Sequence, residues 1–370
     1  MFGVLRTTLA LMVMVGHLFV GKIVPGIYAV FGFYIISGYL MTLIMDKTYG
    51  HTRFGRYSFA VNRFLRLYPQ YWAAAMFSIL LISIVGPEAV INYNEVMFIP
   101  ADSGAVLRNL FMVFLRYPWD ETPRLVPPTW ALTVEISFYA LICFGVSKTF
   151  NRVKIWLLLS ICYVVYSYVA GLSWESRYFP VAAASLPFSI GSAIYFASKS
   201  NHINKLYSKL RISSVHLVVL MFANYLIWII LYSKFNIVDE SGSDVRFDVR
   251  FEAGFYINLL ICTFLVYSIA IGGEILKIDK KIDELIGDFS YPIYLLHVQS
   301  GLFISFLIFG EPFHEFSIRG LIALTGSILF VVILSLIFIW VIDKPIQRIR
   351  TKIKANKALQ RTLVSRATEL

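Results

Sequence analysis

Residues 319–342 read RGLIALTGSILFVVILSLIFIWVI, and after Arg319 the stretch carries no charged side chain. As an α-helix rising about 1.5 Å per residue it extends roughly 36 Å, enough to cross a hydrocarbon core of about 30 Å. In that medium every backbone N–H and C=O must be satisfied inside the protein, so a continuous apolar run of this length is a transmembrane helix. A barrel would need short segments of alternating polarity instead.

Working outward from this segment, nine further apolar runs stand out, at about 4–21, 27–45, 70–86, 129–147, 154–171, 180–197, 214–233, 252–271 and 289–309. The fold class that follows is all-α: a polytopic membrane helix bundle with about ten transmembrane helices in the lipid bilayer. Composition agrees. Of the 370 residues 58% are apolar and 15% charged, with a mean hydropathy of +0.71, whereas soluble domains carry roughly a quarter charged residues. An ordinary cytosolic enzyme, a disordered chain and a secreted disulfide scaffold are all excluded. Cys143, Cys162 and Cys262 lie inside apolar runs, so they imply neither a disulfide framework nor a metal site. The net charge of +11 reads as basic cytoplasmic loops rather than a surface for nucleic acid.

Loop charge also sets the orientation. With both termini cytoplasmic, all but nine of the 33 Lys and Arg residues lie on the cytoplasmic side, and the reverse topology inverts that ratio. Residues 1–345 then form the transmembrane domain and 346–370 a basic cytoplasmic tail, entered by the basic and polar stretch KPIQRIRTKIKANKALQR (344–361). The first span is expected to be retained, because it lacks a small-x-small cleavage site. The long connection 87–128 contains an apolar stretch, Val106–Leu115, too short to span. It reads as interfacial or re-entrant, followed by the helix breakers Pro118, Pro123, Pro127 and Pro128.

Ionisable groups inside a membrane are costly and mark functional sites. Three stand out: His17, Glu135 and His297. From the helical rise, His17 is about 20 Å from the cytoplasmic face and Glu135 about 21 Å, whereas His297 is nearer 13 Å. The matched depths pair His17, the natural proton acceptor, with a carboxylate that orients it. An interior hydrogen-bonded histidine and a structural Glu135 are the plainer readings. His297, sharing its helix with Tyr291 and Tyr294, reads first as a packing residue. Arg6 lies three turns before His17 on one helix face. Arg63 and Arg66 share a face at the inner mouth of the third span, where planar guanidinium forks suit phosphate or else simply obey the positive-inside rule.

Five motifs in order resemble the acyltransferase-3 family of integral membrane acyltransferases, which includes O-antigen and other polysaccharide O-acetyltransferases. They are RTTLALMVMVGH (6–17), FGFYIISGYL (31–40), NRFLRLYPQYW (62–72), PPTWALTVEISFYAL (127–141) and FSYPIYLLH (289–297). The resemblance implies a bacterial inner-membrane enzyme that moves an acetyl or other acyl group from cytoplasmic acyl-CoA to a hydroxyl of a surface or exported glycan, such as a lipid-linked saccharide. It implies acetyl-CoA as donor co-substrate and no metal. His17 matches the catalytic histidine and Glu135 the motif carboxylate; Arg6, Arg63 and Arg66 match the donor-binding cations. Ser37, Tyr71, Trp72, Trp130, Tyr139 and His297 are the expected substrate-binding residues, the aromatic ones as stacking surfaces for a sugar. Two departures matter. Phe31 stands where many relatives carry an aspartate, which shifts weight onto Glu135 as the histidine's partner. Asp343-Lys344-Pro345 stands where Glu-x-Pro is common. The competing class is a glycolipid or small-molecule transporter in which His17 and Glu135 form a proton relay.

Overall fold

The computed structural model describes residues 2–20, 25–116, 118–119, 122–235 and 249–353. Its elements in chain order are α1 (Gly3–Val15), α2 (Pro25–Ile44), α3 (Arg53–Val85), α4 (Pro87–Tyr93), α5 (Ser103–Phe111), α6 (Thr129–Phe144), α7 (Phe150–Val169), α8 (Trp174–Tyr178), α9 (Val181–Ala197), α10 (Asn201–Lys209), α11 (Ser214–Phe235), α12 (Val249–Ala270), α13 (Lys280–Phe309) and α14 (Ile318–Phe338). Each of the ten predicted apolar runs falls on a helix. Among the described residues seven helices are long and apolar enough to cross a membrane. The pair Asn201–Lys209 and Ser214–Trp228, bent by 64°, would make eight, and Gly3–Phe19 and Thr129–Phe144 are shorter apolar helices. The protein is an all-α, multi-pass integral membrane bundle.

Two helices start far earlier than their apolar runs. α3 begins at Arg53, where the hydroxyl of Thr52 accepts from Gly55 N at 3.1 Å. The arginines between 53 and 66 dilute its hydropathy, and Pro69 reads as a helix start although it lies inside. α13 begins at Lys280, capped by Asp279, whose carboxylate accepts from Lys281 N at 2.7 Å. The stretch Val106–Leu115 does not span: α5 ends at Phe111, and Met112 takes a left-handed conformation (φ 52°).

α1 runs parallel to α13. The carboxylate of Asp283 accepts from Gly3 N at 3.0 Å and from Val4 N at 3.1 Å, satisfying orphan donors of the α1 N-terminus. Contact there is so close that a Cβ on Gly3 would sit 1.7 Å from the Asp283 carbonyl oxygen. α2 crosses α9 equally tightly. A Cβ on Gly38 would lie 2.2 Å from Phe188 O, and one on Gly191 would lie 2.1 Å from Ile35 O. Small residues at crossings let membrane helices approach backbone to backbone. Beyond α14 the helix turns through a π-helical stretch, Ile339–Asp343, and continues to residue 353. The remainder of the predicted tail, 354–370, lies outside the described residues.

Candidate active site: two cavities and a histidine pair

One cavity, about 330 Å³, opens at the end of the bundle where the arginines cluster. α1, α2, α3, α6 and α13 wall it, together with the helix after Asp343. Arg6, Arg63, Arg66 and Arg350 supply its cations; Glu135 and Asp288 supply its carboxylates. Arg6 is held against α13, donating to Gly287 O at 2.7 Å and to Ser290 Oγ at 2.9 Å. Arg66 Nη1 donates to both oxygens of buried Asp343, at 3.0 and 3.1 Å, and Gln70 donates to the same carboxylate at 3.1 Å. Among the described residues Arg63 has no carboxylate partner. It donates to Asn62 Oδ1 at 3.2 Å and lies 5.9 and 6.0 Å from the ring centres of Phe59 and Tyr139. Its Nε is buried without a hydrogen-bond partner.

Glu135 faces this same cavity. Ser37 Oγ donates to its Oε1 at 2.5 Å, and the Tyr139 hydroxyl donates to the same oxygen. Two hydroxyl donors thus converge on one carboxylate oxygen. The expectation that Glu135 orients His17 is therefore corrected: matched depth placed the two residues at one level, but α6 presents Glu135 to the arginine cavity. Phe31 does not leave the histidine dependent on Glu135 either. It packs among Tyr34, Tyr178 and Phe255, at 5.8, 5.4 and 4.6 Å between ring centres.

The partner of His17 is His297. Nδ1 of His17 lies 2.7 Å from Nε2 of His297, with the rings stacked at 17°. His297 is fully buried. The earlier depth of about 13 Å for it was short because α13 begins nine residues before its apolar run, which adds roughly 13 Å of rise. His297 Nδ1 faces two backbone carbonyls, Tyr294 O at 2.8 Å and Ile293 O at 3.2 Å. Carbonyl oxygens only accept, so Nδ1 of His297 carries the proton and its Nε2 presents a lone pair. His17 Nδ1 must then donate, which leaves Nε2 of His17 as the unprotonated acceptor. His17 is the second residue of a π-helical turn, Gly16–Val20, a device common at functional sites.

His17 lines a second cavity of about 200 Å³, shared with Tyr93, Asn94, Glu95, Trp130 and His314 among others. Partial burial holds His314, in the loop after α13, below the ordinary imidazole value. Tyr294 lines the first cavity and donates to the carbonyl of Pro128 at 2.9 Å; Pro128 lines the second. These two residues form part of the wall between the cavities.

The expected substrate-binding residues thus divide. Trp130 reaches the His17 cavity, Ser37 and Tyr139 the arginine cavity, and His297 touches the histidine itself. Tyr71 and Trp72 line neither: the Tyr71 hydroxyl donates to Asn109 O at 2.6 Å and Trp72 Nε1 to Leu110 O at 3.0 Å, anchoring α5. Asn62, Asp288 and Arg350 were missed. Asn62 directly precedes Arg63 in the quoted motif, and Arg350 follows Asp343 by seven residues, two helical turns on one face.

Neither the curated proteins nor the solved structures contain a significant match to this sequence. A family model described as an acyltransferase domain, however, matches residues 2–344, nearly the whole chain and every residue of the histidine pair and its two cavities except Gln347 and Arg350. The chain therefore belongs to the acyltransferase-3 family and is a membrane-embedded acyltransferase, of the kind that transfers groups other than aminoacyl groups.

Proposed function

We propose that the protein is an O-acetyltransferase of the bacterial inner membrane, moving the acetyl group of cytoplasmic acetyl-CoA to a hydroxyl of a surface or exported glycan. The single observation that carries this reading is the His17–His297 contact, Nδ1 to Nε2 at 2.7 Å, at a residue that lines a cavity other than the one lined by four arginines. On this reading both termini are cytoplasmic, and the arginine cavity opens to the donor. Arg63 and its neighbours bind the phosphates of CoA through charge-assisted forks. The thioester arm runs along the cavity past Glu135, and its acetyl end passes the wall at Tyr294 to reach His17. Trp130 offers a stacking face for a sugar in the opposite cavity.

The sugar hydroxyl gives its proton to His17 Nε2 as its oxygen attacks the thioester carbonyl. The carbon–sulfur bond then breaks, and the imidazolium returns the proton to the departing thiolate, so protons balance over one cycle. His297 accepts a hydrogen bond from His17 Nδ1 throughout and stabilises the charged ring. The transporter alternative required His17 and Glu135 to act as one relay; they face different cavities and hold different partners, and the family is one of transferases. Purified protein given labelled acetyl-CoA and a panel of lipid-linked glycans should move label to an acceptor. Label that stays on CoA across the panel, with folded protein, would count against the reading. So would a deletion strain whose glycan keeps all its acetyl groups.

A further inference from the structure

The family match ends at residue 344, yet the helix continues and returns an arginine to the arginine cavity. Arg350 is 12% exposed at its side chain. Its Nε donates to Asn62 Oδ1 at 3.1 Å, the same oxygen that accepts from Arg63 Nη2 at 3.2 Å. Asn62 returns a bond from its amide nitrogen to Arg350 O at 3.4 Å and is itself fully buried. One buried amide therefore clamps two guanidinium groups side by side.

Like charges held together in a half-buried site repel unless an anion lies between or beside them. The nearest carboxylate does little for either. Asp343 already accepts from Arg66 Nη1 on both oxygens and from Gln70, and Arg350 Nη1 stands 3.8 Å from it. Among the described residues Arg63 has none and keeps an unpartnered Nε. Arg6 is occupied by Gly287 and Ser290. Arg63 and Arg350, the pair held on Asn62, both keep guanidinium N–H groups that make no hydrogen bond to a carboxylate among the described residues. Gln347, one turn before Arg350, lines the same mouth with its amide.

We propose that Arg63 and Arg350, clamped by Asn62, form the seat for the phosphate groups of the acyl donor, so that the helix beyond the family-matched region is part of the donor site. The assignment rests on the acyl-CoA reading above and adds to it a residue that reading did not contain. Phosphate oxygens accept from both guanidinium forks at once, which neither arginine achieves alone.

The experiment is equilibrium binding of CoA, and of pantetheine as the same arm without phosphates, to detergent-purified full-length protein. R350A should bind CoA roughly 10-fold more weakly or worse, the scale of a lost charge-assisted contact, with pantetheine affinity unchanged. N62A keeps both cations but removes the clamp, and should weaken CoA binding by a smaller factor. Should R350A fail to fold, N62A carries the test alone. Equal CoA affinity in the variant and the unaltered protein would overturn the assignment, as would an equal loss for pantetheine. No CoA binding by the unaltered protein would instead overturn the donor reading beneath it.

Discussion

His17 and His297 meet at a sequence offset of 280 residues, the same offset that joins Gly3 to Asp283. Between the two contacts α1 and α13 each advance fourteen residues, about 21 Å of helix. The pair is thus the far end of a registered parallel packing whose near end is a carboxylate cap. Positions along one helix are transmitted to the other without slippage, and the imidazoles meet because the caps meet.

The first consequence concerns His17. His17→Ala removes the free Nε2 and should lower turnover by about 10²–10⁴-fold, the usual contribution of a general base. Inserted, folded protein and little change in the apparent constant for acetyl-CoA should accompany it. Near-normal transfer by a verified folded variant would leave His17 a mere interior hydrogen-bonding residue.

His297 acts through His17 and is a positioning residue. His297→Ala frees Nδ1 of His17 to adopt either tautomer, so turnover should fall by about 10-fold or more while acetyl-CoA binding holds. His297→Gln can still offer an acceptor oxygen, and should recover part of the loss. Comparison of kcat for the two variants checks this; equal loss in both would argue for packing alone.

Arg63 and Arg66, neighbours in sequence, should behave differently. Arg66→Ala leaves buried Asp343 with only Gln70 and the more distant Arg350, a loss that costs at most the about 3–5 kcal/mol of breaking a buried pair. Its main effect should be a lower thermal midpoint and yield. Arg63→Ala strands no carboxylate, so stability should hold while the apparent constant for acetyl-CoA rises by roughly 10-fold or more. Thermal unfolding in detergent beside donor titration separates the two.

Helix crossings offer a test independent of chemistry. Gly38→Ala and Gly191→Ala each drive a Cβ to within about 2 Å of a facing carbonyl oxygen, and the α2–α9 pair must part to accept either. Overpacking of this kind costs about 1–3 kcal/mol. Both variants should unfold at lower temperature, whereas Gly171→Ala, at a solvent-side turn with nothing within 4 Å, should show only the milder strain of its positive φ.

The membrane class, the ten helical segments and the list of ionisable groups inside them were legible in the sequence, because hydropathy and helical length are local properties that lipid enforces on each segment separately. Partnerships were not. Depth along a helix can be read from residue count, but azimuth and true helix start depend on what packs alongside. Arg53–Arg66 and Lys280–Asp288 are helical despite their charge, and that hidden length carried His297 up to the level of His17. Glu135 had the right depth and the wrong face. Arg350 reads as one more basic residue of a tail, and only the return of that helix against Asn62 makes it part of a cavity. Which side chains meet was decided by the register between α1 and α13 and by the close crossings at glycine, contacts between residues far apart in the chain that no local pattern encodes.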